Sequence, residues 1–132
     1  MSVDKREKGW LRTLGDPTID VLAVEVKNRI VAFSNFGPLR DKDLDGDCVG
    51  EIYAIYALEE FWNRGIGRKL MDTSITTLRE MEYSAVKIWV IETNQRAISF
   101  YRKFGFTPDG AKKVEHREDF ELNEVGYSLS LI

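Results

Sequence analysis

An unbroken apolar run, Ile52 to Leu58, is followed within a few residues by Arg64-Gly65-Ile66-Gly67-Arg68. Apolar residues then recur at helical spacing: Ile66, Leu70, Met71, Ile75, Leu78 and Met81. A short continuous apolar run bounded by turn residues suits a buried strand. The 3.6-residue spacing after it predicts a helix with one stripe against a sheet. Strand, glycine turn and helix in that order commit the chain to a layered α/β arrangement.

The flanking sequence supplies the other layers. Residues 2–14 predict a short charged helix with Trp10, Leu11 and Leu14 on one side, stopped by Gly15, Asp16 and Pro17. Ile19 to Val26 reads as a strand, Lys27-Asn28 as a two-residue turn, and Arg29 to Phe36 as the returning strand. Asn tolerates the positive φ that such a hairpin needs. An acidic loop, Asp41 to Asp47, leads into the strand Cys48 to Leu58. Ala85 to Ile91 is a strand rich in β-branched and aromatic residues. Gln95 to Phe104 is a second amphipathic helix, carrying Ala97, Ile98, Tyr101 and Phe104 and capped by Gly105. Two strands, near Ala111 to Arg117 and Glu124 to Leu131, close a mixed α/β sheet in one domain, residues 1–132.

Composition removes several functions. Hydrophobic residues make up 43% and charged residues 31% of 132 residues, a globular balance. The longest apolar run, seven residues, is far short of the ~20 that cross a bilayer, so no membrane partner is expected. Met1 to Lys8 has charges and no apolar stretch behind them, which predicts a cytoplasmic chain without a secretory signal. A single cysteine, Cys48, and a single histidine, His116, leave no internal disulfide and no multi-cysteine zinc site, and weaken any Ser-His-Asp arrangement. A formal charge of −3 argues against general nucleic-acid binding.

The glycine turn is the sharpest chemical signal. Glycines let backbone approach a ligand closely, and the first N–H groups of the helix lack internal partners at the positive end of its dipole. With Arg64, Arg68 and Lys69 beside them, they suit a phosphate or pyrophosphate. The pattern is neither a P-loop nor a dinucleotide fingerprint, because Leu70 stands at the third glycine position. The bland alternative is a helix entry whose glycines serve packing.

A second signal follows the next strand: Asn94, then Ala97-Ile98-Ser99-Phe100-Tyr101, then Phe104-Gly105-Phe106. Glu51 through Lys69 followed by Asn94 through Phe106 closely resembles the acyl-CoA-binding half of the GNAT superfamily of N-acetyltransferases. The resemblance implies an α+β GNAT fold: a mixed, mostly antiparallel sheet with flanking helices, its usual N-terminal strand and helices reduced. It implies acetyl-CoA as acyl-donor co-substrate, an amine acceptor as partner, and no metal. Asn63, Arg64, Gly65, Ile66, Gly67 and Arg68 would cradle the CoA pyrophosphate. The strand edge at Ile55, Tyr56 and Ala57 would pair with the pantetheine arm, with the Ile55 N–H polarising the thioester carbonyl. Asn94 would bond the pantetheine end or nearby backbone. Tyr101 would protonate the departing thiolate, and Glu51, where some members of the family place their general-base glutamate, would be the base, with a water chain or another carboxylate as the alternative. Where the family usually has Gln or Arg, three residues before the first glycine, this chain has Trp62.

Other features carry weaker readings. Asp41-Lys42-Asp43-Leu44-Asp45-Gly46 opens like a calcium loop, but Ile52 stands where the bidentate Glu belongs, so a solvated loop is favoured. Cys48 is expected to be a buried thiol and His116 an exposed structural residue. Trp10, Trp62 and Trp89 are expected to pack. The strand at Glu124 to Leu131 offers an edge across which a homodimer would pair. The sequence therefore predicts an N-acetyltransferase acting on a primary amine of a small molecule or protein. The competing reading is a non-catalytic acyl-CoA-binding or interaction module on the same fold.

Overall fold

The computed structural model describes residues 2–5, 8–12, 20–39, 48–62 and 64–132, the first two stretches by backbone alone. Among the described residues eight strands form one sheet: β1 (Ser2–Lys5), β2 (Lys8–Arg12), β3 (Asp20–Val26), β4 (Arg29–Pro38), β5 (Val49–Ala57), β6 (Ala85–Ile91), β7 (Thr107–His116) and β8 (Glu121–Ser130). Two helices, α1 (Ile66–Glu80) and α2 (Gln95–Lys103), follow β5 and β6. The strand order is β1-β2-β3-β4-β5-β6-β8-β7, and among these neighbours β5 and β6 alone run parallel.

The β3–β4 hairpin turns on Lys27 and Asn28, both at positive φ (49° and 66°), the geometry a tight two-residue hairpin demands. The first segment departs from the expected helix. It forms β1 and β2, which pair with each other, and β2 extends the sheet along β3 from Lys8↔Val26 to Arg12↔Leu22. Gly9 penalises a helix by about 1 kcal/mol relative to Ala, and the edge of β3 offers a ladder instead. Among the described residues no helix precedes β3.

α1 buries Ile66, Leu70, Met71, Ser74, Ile75 and Leu78 against β3, β4 and β5. Its one buried polar group, the Ser74 hydroxyl, is shared between the Leu70 carbonyl at 2.8 Å and the buried Ser34 hydroxyl at 2.9 Å. Gly50 lies under this helix so closely that a Cβ there would stand 2.9 Å from Leu78 Cδ2. Successive strand residues point to opposite faces, so Glu51 is directed to the face away from α1.

β8 lies between β6 and β7, so both its edges are already paired. The strand at Glu124 to Leu131 therefore presents no free edge for the dimer pairing the sequence suggested; among the described residues the sheet ends at β1 and β7. Beneath β8 a charged node ties three strands together. Lys87, 4% exposed, sits 3.2 Å from Asp109, which also accepts from the Ser128 hydroxyl (2.7 Å) and the Ala111 N–H (2.9 Å). Burial pushes the Asp109 carboxyl up, but these donors and the Lys87 charge outweigh it and hold its pKa below the ordinary value.

Gly126 is what makes room for that pair. A Cβ at Gly126 would lie 2.6 Å from Asp109 Oδ1 and 3.0 Å from Lys87 Nζ. Gly126→Val should force Lys87 and Asp109 apart and lower stability by about 1–3 kcal/mol, read as a urea or thermal midpoint. An unchanged midpoint would contradict this account of the node.

Cys48 is exposed rather than buried, because it sits in the turn entering β5. His116 is exposed at the end of β7, with Nδ1 3.5 Å from Glu121. The acidic loop, including the calcium-like stretch Asp41 to Gly46, lies outside the described residues. Among the described residues no cluster could hold a metal ion, and no helix is long and apolar enough to cross a membrane.

Candidate functional site

β5 and β6 pair in register only from Val49↔Ala85 to Ile52↔Ile88. Beyond that point Tyr53 to Ala57 continue along β4, and Trp89 to Ile91 continue along β8, but the two strands no longer bond each other. Immediately at the parting, the β4–β5 register slips between Asn35↔Ala54 and Phe36↔Ile52, leaving Tyr53 as the extra residue. A bulge of this kind bends and twists its strand. The result is an unpaired β5 edge inside the sheet.

That edge opens into a cleft of about 1120 Å³. One wall is Ile55, Tyr56 and Ala57; another is the start of α1, with Gly65, Gly67 and Arg68; the third is α2, with Asn94, Ala97, Phe100 and Tyr101. Eight sequence-predicted site residues thus meet in one cavity: Ile55, Tyr56, Ala57, Gly65, Gly67, Arg68, Asn94 and Tyr101. A separate hollow of about 440 Å³, between α2 and β8, takes none of them.

The glycine turn is built as its composition implied. Gly65 holds φ +79° at the N-cap of α1, a left-handed conformation that disfavours other residues, and its carbonyl accepts from Lys69 N at 3.0 Å. The α1 first turn carries no acidic residue. Gly67 faces Phe100, whose ring a Cβ at 67 would meet at 3.5 Å, an ordinary contact. Arg68, Arg96 and Lys103 line the cleft against one carboxylate, Asp72, so the cavity is cationic in a chain of net charge −3.

The other predicted residues fall differently. Ile66 is 3% exposed and belongs to the core, leaving only its backbone for a ligand. Arg64 sits over the Phe61 ring at 5.4 Å, outside the cleft lining. Asn63 lies outside the described residues. Asn94 lines the cleft and caps α2, its side-chain oxygen accepting from Ala97 N at 3.1 Å, which leaves its amide nitrogen out of the cap. Glu51 is 1% exposed and does not line the cleft; it lies beside Lys87 in the last paired rungs before the strands part.

Tyr101 is 8% exposed in the α2 wall, packed against Phe100 and Phe106 with ring centroids 6.0 and 6.1 Å away. Burial pushes its phenol up to about 12. It therefore keeps its proton throughout the physiological range.

Sequence reasoning missed much of the cleft's aromatic and cationic lining: Phe61, Trp62, Arg96, Phe100, Lys103 and Phe104. Trp62 does more than pack. Its indole N–H donates to the Ala57 carbonyl at 2.9 Å, and the Arg96 guanidinium lies 3.5 Å over its ring. No local spacing signals this pair, since it joins the turn after β5 to the first turn of α2. Trp89 is half-buried on β6, with the Lys87 and Lys113 ammonium groups 4.4 and 4.3 Å from its ring centroid.

Comparison with known proteins identifies the family. Residues 2–106 match the model of the acetyltransferase (GNAT) family. An uncharacterised N-acetyltransferase of Bacillus subtilis (strain 168), YuaI, is 37% identical over 83 residues, covering 63% of this chain and 46% of its own length. The chain thus spans less than half of that relative. An N-acetyltransferase from Staphylococcus aureus Mu50 superposes with a TM-score of 0.74 at 22% identity, covering 86% of this chain and 68% of the other. A GNAT family acetyltransferase from Elizabethkingia anophelis, solved with acetyl-CoA bound, superposes with a TM-score of 0.71 at 16% identity, covering 96% and 99%. At these identities the two superpositions speak to fold alone.

Proposed function

The chain belongs to the acetyltransferase (GNAT) family, and on that premise we propose that it transfers an acetyl group from acetyl-CoA to a primary amine of a small molecule or protein. The observation that carries this reading is the parting of β5 from β6 beside the buried Tyr101. An extended pantetheine arm adds to the free edge at Ile55, Tyr56 and Ala57 as a strand would. The pyrophosphate takes the backbone N–H groups of the turn from Asn63 to Gly67 and the start of α1, with Arg64 and Arg68 as mobile cations. Asn94 bonds the pantetheine end through its amide nitrogen, its oxygen being committed to the helix cap. A cleft of about 1120 Å³ with cationic lining and a bound-ligand neighbour of the same fold support acetyl-CoA as the co-substrate.

The chemistry asks little more of the chain. An amine with a pKa near 10 arrives protonated and must lose a proton before its nitrogen can bond the acetyl carbon. Glu51 takes that proton through water, since the carboxylate itself lies outside the cleft lining. As the C–N bond forms, the Ile55 N–H meets the charge developing on the carbonyl oxygen. As the C–S bond breaks, Tyr101 donates to the departing sulfur. A phenol at about 12 yields its proton to a thiolate of about 8.5 only uphill, so hydrogen-bond donation is the larger part of its role.

The reading is tested by following free thiol released from acetyl-CoA with a panel of primary amines. Release that depends on the amine is expected, and Glu51→Gln should lower kcat about a hundredfold near pH 7. The deficit should shrink as pH rises toward the amine pKa, because free amine then needs no base. Binding of acetyl-CoA without amine-dependent release would instead favour the non-catalytic module.

A further inference from the structure

The Trp62–Arg96 pair joins two walls of the cleft. Trp62 stands three residues before Gly65, and its indole is anchored by the 2.9 Å bond to the Ala57 carbonyl. Arg96 projects from the first turn of α2, and its guanidinium lies flat enough on that indole to bring its carbon 3.5 Å from the ring centroid. Both residues are exposed and both line the cleft. A guanidinium stacked on an aromatic face uses its π surface and leaves its N–H donors, which lie in the plane, pointing outward. Among the described residues no ion pair joins Arg96 to a carboxylate. The stack also spares much of the entropy of fixing a long side chain, which favours binding over an unsupported cation.

We infer that Arg96, presented by Trp62, is a phosphate-binding side chain of the donor site and grips a phosphate of the CoA nucleotide bidentately. This rests on reading the cleft as a CoA site. Two phosphate groups could satisfy the same chemistry, the pyrophosphate and the 3′-phosphate of the ribose, and the test separates them.

Wild type, Arg96→Gln and Arg96→Lys are titrated calorimetrically with CoA and with 3′-dephospho-CoA. Arg96→Gln should weaken CoA binding about tenfold. Arg96→Lys should recover only part of the loss, since an ammonium keeps the charge but not the planar fork. An equal loss for both ligands assigns Arg96 to the pyrophosphate; a loss for CoA alone assigns it to the 3′-phosphate. Unchanged CoA affinity in Arg96→Gln overturns the inference while leaving the CoA reading intact. Tighter binding overturns it too, and marks the stack as a closure over the cleft. Wild type that binds neither ligand removes the CoA reading, and this inference with it. Because Arg96 is exposed, melting temperatures should be unaltered and any affinity change belongs to the site.

Discussion

Tyr101→Phe is expected to lower kcat about a hundredfold while leaving acetyl-CoA affinity within about twofold of wild type. The ring is held by Phe100 and Phe106 and by the α2 wall, so phenylalanine keeps the packing and removes only the hydroxyl. That hydroxyl contributes when negative charge appears on the departing sulfur, and little before, so the loss falls on kcat rather than on binding.

The same substitution has a signature in stability. The folded phenol sits at about 12 against a model value of 10.0, through burial. Below pH 10 both states hold the proton and the group adds no pH dependence. Between pH 10 and 12 the unfolded chain loses its proton first, so stability falls, by about 3 kcal/mol in total at 1.36 kcal/mol per unit. Tyr101→Phe should remove that part of the alkaline slope. A smaller part should remain from Tyr83, whose phenol is also raised, by burial and then by the Asp20 charge. Equal alkaline denaturation of wild type and variant would contradict the buried hydroxyl.

Gly67→Glu is expected to weaken acetyl-CoA binding about a hundredfold without destabilising the fold. A Cβ at this position meets Phe100 at an ordinary 3.5 Å, so the site admits a side chain. A carboxylate in the first turn of α1 interacts favourably with the helix dipole and replaces a glycine of poor helix propensity, so the melting temperature should hold or rise. The same charge stands where the proposed pyrophosphate must sit and repels it. Gly67→Ala provides the control: it adds the methyl without the charge and should retain most of the affinity. Matched losses in both variants would make the effect steric and count against an anion at this turn.

The parts of the molecule that could be read in advance are those where local chemistry decides. Lys27-Asn28 tolerates positive φ, and the hairpin forms there; β6 occupies Ala85–Ile91 as its β-branched and aromatic residues predicted. The Gly65 turn and the α1 stripe were legible because each needs only a few neighbouring residues. The N-terminal segment was misread because Trp10, Leu11 and Leu14 suit a helix in isolation, whereas the competing partner is the edge of β3, a tertiary fact. Cys48 followed the usual burial of thiols, but its place in a turn exposes it.

At the cleft, sequence motifs located the backbone walls and Tyr101 but not the cationic rim. Trp62 and Arg96 are separated by the whole of α1 and β6, and only the β5–α1–β6 crossover brings them together. Glu51 illustrates the opposite case: its position on the strand was legible, but its burial behind the cleft wall depends on the face it takes relative to Gly50.

The most direct test of the central claim, that the parted strands and the α1 N-terminus together hold a CoA thioester, is calorimetric titration of the wild-type chain with acetyl-CoA and with acetyl-pantetheine, which lacks the nucleotide. The account predicts micromolar binding of acetyl-CoA and binding at least about a hundredfold weaker without the nucleotide, because the phosphate contacts at the glycine turn are lost. Equal affinity for the two ligands, or no binding of acetyl-CoA, would contradict it.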